Sequence, residues 1–271
     1  MAPPEGRPDT KEVQAFLDSA TSIAEGTGSI ALRYFRKSLD VDNKLEGAGF
    51  DPVTRADREV EASIRAEITR LYPDHGIIGE EEAAVETDSP YCWIIDPIDG
   101  TRAFISGVPA WGTLLGLKFD EECIAGVMHQ PYLGETFFGG AGSAALRRAG
   151  KEIELRTSET RELASAIAYC THPAMFPTPE NLERFKRVDG AIRMMRYGGD
   201  CYSYCLLAHG MIDLVVEGEL QPYDIVPLIP IIEGAGGVVT NWQGESAMSG
   251  GLIVAAANPA LHDQALALLN L

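Results

Sequence analysis

Four acid-bearing segments of this chain each stand where one predicted element gives way to the next. The clearest is WIIDPIDGTRAF, Trp93 to Phe104, in which an apolar strand runs directly into Asp96 and Asp99 and then into Gly100-Thr101 at the start of a short helix. GIIGEEE (76–82) is again an apolar strand that ends in carboxylates. DPVTRADREVE (51–61) places Thr54 and Asp57 just before a helix. Far downstream, ELQPYDIVPLIPIIEGAGG (219–237) puts Asp224 at the head of an apolar helix that a glycine-rich EGAGG closes.

One acid at a helix start is common, because the helix dipole favours it, so Asp57 alone would carry little weight. Asp96 and Asp99 carry more. Two carboxylates three residues apart around a proline-containing turn can converge on one point, and hard divalent cations require such an all-oxygen surround. The amides of Gly100 and Thr101, at a helix N-terminus, are donors suited to a phosphate. Four such junctions are hard to explain as four separate helix caps.

The hydrophobic period organises the rest. Asp9 and Glu12 have capping-box spacing, and Val13, Phe16, Leu17, Ala20, Ile23 and Ala24 recur at helical intervals in a stripe that continues to Phe35, although Gly26 and Gly28 weaken it. Val60, Ile64, Ile68 and Leu71 predict a second helix over Arg58–Leu71, with Pro73 beyond its end. The period then changes. YCWIID, WGTLLGLKF, CIAGVMHQ and ETFFGG are short β-rich runs between Gly, Pro and acidic turns, the pattern of a meandering sheet. After Gly150 come a strand-like KEIELR, helices near 180–188 and 202–209, a strand IDLVVE, and helices near 225–233 and 260–269. Sheets alternating with helices, without a repeat, predict a layered α/β or α+β architecture.

The balance of 40 acidic against 22 basic residues gives a formal charge of −18, which argues against non-specific binding to nucleic acid or to an anionic membrane. An anionic substrate then needs local cations, and bound metal ions supply them. The five cysteines are scattered. Cys201 and Cys205 lie one helical turn apart without the spacing of a structural zinc site, and the set reads as that of a reduced, cytoplasmic protein. Residues 1–8 form a disordered lead-in with no apolar core of a signal peptide, and no segment approaches the ~20 apolar residues that span a bilayer. The five histidines form no HxH or HExxH pattern, so none is assigned to a metal.

DPVTRAD, GEE, DPIDGT and the late acid followed by EGAGG resemble, in order and spacing, the signatures of the lithium-sensitive inositol-monophosphatase superfamily, over essentially the whole chain. The resemblance implies a layered αβαβα sandwich, two sheets with helices between and outside them, usually in a homodimer. It implies one compact unit, with an N-terminal half (9–150) that carries most metal ligands and a C-terminal half (151–271) that carries specificity. It implies two or three Mg²⁺ ions held by Glu80, Asp96, the carbonyl of Ile98, Asp99 and Asp224, with Asp99, Gly100 and Thr101 around the phosphate. Thr101, hydrogen-bonded to Asp57, would orient and deprotonate the attacking water, with Glu80 in support and no covalent phosphoenzyme. Lys44, in the loop LEGAGF, would reach toward the metals or the phosphate, or else stand in solvent.

Members of this superfamily differ around the leaving group. Where inositol phosphatases carry a small, neutral run, this chain reads RYGGDCYSYCLLAHG (196–210), and with IDLVVEGELQPYD this resembles the histidinol-phosphate phosphatases of bacteria and plants. Histidinol phosphate is a small phosphomonoester that carries an ammonium and an imidazole, so acids are needed beyond the metals. Asp200 and Glu217 are the candidates, and Arg196 would frame the pocket or pair with a neighbouring carboxylate. Asp200 could instead only cap the helix that follows. Within the same chemistry the alternatives are inositol 1-phosphate and a nucleotide 3′-phosphate. Aspartyl-phosphate phosphatases need acids at i and i+2, whereas DPID has i and i+3. A non-catalytic metal- or phosphate-binding regulator would be favoured by loss of Asp57 or Thr101, and both are present.

Overall fold

The computed structural model describes residues 6–37, 41–43 and 52–271. Helix α1, Thr10–Tyr34, begins at the Asp9 capping box and buries Val13, Leu17, Ala20 and Ile23 along one stripe. Strands β1 (Val41–Asn43) and β2 (Pro52–Thr54) form a small antiparallel pair that leads into α2, Arg55–Leu71. This helix starts three residues earlier than its apolar stripe predicts, because Thr54 is the cap and Asp57 is its reciprocal partner inside the first turn.

The next elements are β3 (Gly76–Gly79), β4 (Tyr91–Asp99), α3 (Thr101–Ser106), β5 (Gly112–Phe119), β6 (Glu122–Gln130), β7 (Glu135–Gly140), β8 (Ser143–Arg148) and β9 (Lys151–Glu154). Strands β3 to β9 lie side by side in sequence order as one seven-stranded sheet, parallel only at β3–β4 and antiparallel elsewhere. The predicted meander is thus present. Then follow β10 (Ile167–Cys170), α4 (Pro179–Asp189), β11 (Met194–Tyr197), α5 (Asp200–Ala208), β12 (Leu214–Leu220), α6 (Pro222–Ile225), α7 (Ile229–Gly234), β13 (Val238–Asn241), β14 (Gly251–Ala256) and α8 (Pro259–Leu269). Five of these strands form a second sheet in the order β11-β10-β12-β14-β13.

The layers are αβαβα, as the resemblance implied. Helices α1 and α2 cover one face of the large sheet, α5 and α7 fill the space between the sheets, and α4 and α8 pack together outside the second sheet. Each interface has its own apolar core, around Ile64 and Trp93, around Leu114 and Ile231, and around Phe185 and Trp242.

The helix expected near 225–233 is broken. Pro227 and Pro230 each remove a backbone donor, and the run becomes α6, a 3₁₀ turn over Val226–Leu228, and α7. The prolines lie on a row of glycines in the large sheet. A Cβ on Gly126 would stand 1.9 Å from the Pro227 carbonyl oxygen, and one on Gly139 2.3 Å from that of Pro230. This close approach sets α6, with Asp224, against the end of β4.

Candidate active site

Period-two alternation would send Asp96 and Asp99 to opposite faces of β4. The pairing shows why they converge. Asp96 is opposite Leu114 and Asp99 opposite Gly112, so β4 spends one more residue than β5 between those pairs. The irregularity is a bulge, and it re-aims the second aspartate to the side of the first. Pro97, with no N–H to give, lies within it, and its carbonyl accepts the Thr113 hydroxyl at 2.9 Å. Gly100 follows at φ 81°, a left-handed turn that glycine adopts without strain, and α3 begins.

Asp224 arrives from α6, where its Oδ2 accepts the Gln221 N–H at 2.7 Å. One carboxylate oxygen from each of Asp96, Asp99 and Asp224 lies within 4.8 Å of the others, the one such group among the described residues. Asp96 is 2% exposed, and its Oδ1 has no hydrogen-bond partner among the described residues. Burial pushes the Asp96 carboxyl well above the usual carboxylate range, and the charges of Glu80, Asp99 and Asp224 push the same way. Burial, then Asp224, holds Asp99 up at about 7, against the lowering effect of its hydrogen bond from Cys201. Three converging oxygen donors with one lone pair set left orphaned suit a hard divalent cation, whose charge would reverse both effects.

The other expected ligands are close by. Half-buried Glu80 stands at the end of β3 and is the largest neighbouring charge acting on Asp96. The Ile98 carbonyl accepts the Thr101 hydroxyl at 3.1 Å. The expected Thr101–Asp57 hydrogen bond is therefore not made. Asp57 Oδ2 is instead occupied by the Thr54 N–H and hydroxyl, at 2.8 and 2.6 Å, while Asp57 Oδ1 is buried without a partner. Burial raises Asp57 to about 6, with the Thr54 bonds opposing and Glu81 adding to the rise.

Beside the cluster is a cavity of about 100 Å³ lined by Asp99, Thr171, Met175, Asp200, Cys201, Tyr204, Glu217, Leu220 and Asp224. Asp200 is the first residue of α5, not its cap. The cap is Gly199, and Asp200 itself has φ 42°. Its side chain lies so close to the DPIDGT turn that a Cβ on Gly100 would come within 3.1 Å of Asp200 Cβ. Burial, then Asp99, raises Asp200 to about 7, opposed by Arg102. Glu217, 1% exposed, accepts the Thr171 N–H and hydroxyl through Oε1, both at 2.9 Å. Its Oε2 and the Tyr204 hydroxyl have no partner among the described residues.

Arg196 is exposed on β11, the edge of the second sheet, and is not among the lining residues. Lys44 lies outside the described residues. Sequence reasoning missed Tyr204 and Thr171. Tyr204 was legible as an aromatic one turn after Asp200, whereas the Thr171 contact depends on a strand pairing that no local pattern reveals. It also missed Glu61 and Arg65, although a glutamate at i+4 from Asp57, within the apolar stripe of α2, was a visible anomaly.

Comparison with known proteins agrees with this geometry. The family model described as "Inositol monophosphatase family" matches residues 12–270. The chain is similar to the bifunctional phosphatase IMPL2, chloroplastic, of Arabidopsis thaliana, at 37% identity over 94% of this chain and 75% of that one. It is also similar to a histidinol-phosphatase of Chlorobaculum parvum, at 34% identity over 94% of this chain and 96% of the other. Among solved structures, an inositol monophosphatase from Zymomonas mobilis superposes with a TM-score of 0.83 at 34% identity, covering 95% of this chain and 98% of that one. The chain belongs to the inositol monophosphatase family of metal-dependent phosphatases.

Proposed function

We propose that this protein hydrolyses L-histidinol phosphate to L-histidinol and phosphate, with Mg²⁺ held by Glu80, Asp96, the Ile98 carbonyl, Asp99 and Asp224. The observation that carries the substrate is the cavity. Four carboxylates, Asp99, Asp200, Glu217 and Asp224, line it without one basic side chain, and Glu217 Oε2 is an unused buried acceptor. Metal ions account for the side that faces Asp99 and Asp224. The Asp200 and Glu217 side calls for a second cation, and the ammonium of histidinol supplies it. Burial drives both carboxyls toward their protonated forms, a neutral polyol would leave them there, and an ammonium beside them would favour the ionised pair. The histidinol-phosphatase of Chlorobaculum parvum, similar over nearly the whole chain, supports the same substrate.

When bound, Mg²⁺ supplies charge neutralisation and Lewis-acid polarisation at the phosphate. The chain's own residues do the rest. The backbone N–H groups of Gly100 and Thr101 orient phosphate oxygens at the start of α3. For Thr101 Oγ1 to align the attacking water and pass its proton to Asp57, its hydroxyl would have to turn from the Ile98 carbonyl toward Asp57 Oδ1, the buried oxygen with no partner among the described residues. The water oxygen bonds to phosphorus, the ester P–O bond breaks, the departing alkoxide takes a proton from solvent water, and Asp57 returns its own proton to solvent, so that one water is consumed per ester cleaved. The reading carries with it the homodimer that the family resemblance implies.

The test is phosphate release from L-histidinol phosphate, inositol 1-phosphate and a nucleotide 3′-phosphate, each with Mg²⁺ and with excess chelator. The proposal expects the highest kcat/KM for histidinol phosphate and no turnover in chelator. A preference for inositol 1-phosphate would overturn the substrate, and undiminished turnover in chelator would overturn the metal chemistry.

A further inference from the structure

We propose that Glu61 is a positioning residue that, with Arg65, fixes the turn carrying Glu80 against α2; the inference rests on the metal site proposed above. Three consecutive glutamates, Glu80 to Glu82, follow β3, and such a run repels itself and favours no single conformation. Glu61, fully buried on α2, holds it. Its Oε2 accepts the Glu81 N–H at 2.8 Å, and its Oε1 accepts the Glu82 N–H at 3.1 Å. Arg65, one helical turn on, donates to Glu61 Oε1 at 2.8 Å, to the Glu82 carbonyl at 2.9 Å and to the Ala83 carbonyl at 3.1 Å. Donors and acceptors of the turn are thus both gripped from one helix face, and the same helix carries Asp57 one turn earlier.

Gly79 makes the grip possible. A Cβ there would stand 2.2 Å from Glu61 Oε1 and 2.7 Å from Arg65 Nη2. Glu61 does not join the metal cluster itself, because both its oxygens are taken by these donors. It acts through Glu80, whose carboxylate has to reach the point where Asp96 and Asp99 meet. Groups that hold a metal-binding side chain in place commonly matter ~10–100-fold in metal affinity.

The experiment compares wild type, Glu61→Gln and Glu80→Gln. Mg²⁺ binding is measured by calorimetry, the melting temperature is measured in chelator, and the Mg²⁺ concentration for half-maximal phosphate release is determined. Glutamine keeps the volume but replaces one acceptor by a donor, so Glu61→Gln is expected to weaken Mg²⁺ binding roughly 10–100-fold, with kcat recovering at high Mg²⁺. A purely structural role would lower the melting temperature in chelator and leave the Mg²⁺ affinity of the folded protein unchanged, and that result overturns the proposal. Should Glu61→Gln not fold, Arg65→Lys is read by the same two outcomes, since lysine cannot span both carbonyls. Glu80→Gln separates the two layers of argument. Unweakened Mg²⁺ binding there rejects the metal site itself, whereas weakened binding there with normal binding in Glu61→Gln rejects only the positioning role.

Discussion

The backbone N–H of Cys201 donates to Asp99 Oδ2 at 2.7 Å, across 102 residues of chain. Through this bond the first turn of α5 is fixed against the bulged end of β4, and Asp200 comes to rest beside Gly100. The segment proposed to hold the leaving group is thereby joined to one of the carboxylates proposed to hold metal.

Asp96→Asn and Asp224→Asn should each remove most activity while leaving a folded protein. Each deletes one charge from three converging oxygens, and loss of a Lewis acid costs several kcal/mol, roughly 100-fold or more in kcat. In chelator the same variants should melt higher than wild type, since buried like charges are relieved. A gain of about 1 kcal/mol would appear as roughly 2–4 °C. Phosphate release with Mg²⁺ and melting curves in chelator check both halves, and a variant that kept more than about a tenth of wild-type kcat would lose its metal role.

Asp57→Asn should keep Mg²⁺ affinity and KM near wild type and lose kcat by ~10²–10⁴, the usual range for a general base. The structure adds a competing role, because Asp57 also accepts the Thr54 N–H and hydroxyl in the cap of α2. Asparagine retains one acceptor for that cap, so the stability loss should stay near ~1 kcal/mol. Titration of kcat, KM and Mg²⁺ affinity separates the roles. A variant that melted lower with unchanged kcat would make Asp57 a cap alone.

Much of the site was legible because its signals are local. DPIDGT, GIIGEE and the Asp9 capping box each occupy a few adjacent residues, and the meander of β4 to β7 shows in runs of β-branched and aromatic residues. Legibility failed where the determinant is non-local or the pattern is short. β10, β11, β13 and β14 have between four and six residues each and no clean alternation. The apolar run after Asp224 reads as one helix until the prolines are placed on the glycine row beneath it. Arg196 was expected to frame the pocket or pair with a neighbouring carboxylate, and it stands exposed on the edge strand β11, outside the cavity lining.

Acid should destabilise the protein through His129. This side chain is 7% exposed, its Nδ1 lies 3.0 Å from Thr136 Oγ1, and Thr136 in turn donates to Glu25. Burial lowers His129 to about 4, against the raising influence of Glu25. The unfolded chain, with an ordinary value near 6.5, then binds the extra proton first between pH ~6.5 and ~4. Stability from this group is complete above about pH 6.5 and falls as the pH drops toward 4, by on the order of 3 kcal/mol in all. Denaturant melts at pH 7, 6, 5 and 4 would reveal the slope, and His129→Gln should flatten it whatever the variant's own stability. An equal slope in the variant would assign the acid sensitivity elsewhere.

The last prediction concerns specificity, and the geometry chooses the variant. Asp200 has φ 42°, a conformation that asparagine tolerates better than alanine, so Asp200→Asn removes the charge with less backbone strain. Histidinol phosphate and glycerol 2-phosphate present the same phosphate to the same carboxylate cluster, and only the first brings a cation to the cavity. A hydrogen bond to a charged group contributes ~1.5–3 kcal/mol, so kcat/KM for histidinol phosphate should fall roughly ten- to a hundred-fold while glycerol 2-phosphate hydrolysis changes little. Glu217→Gln should act in the same direction, and the Thr171 contacts through Oε1 give it a second readout in the melting temperature. Equal losses on both substrates would mean that Asp200 shapes the turn around Gly100 and does not contact the leaving group. No loss on either would leave the carboxylates of the cavity without a substrate cation to hold, and the histidinol reading would fail with it.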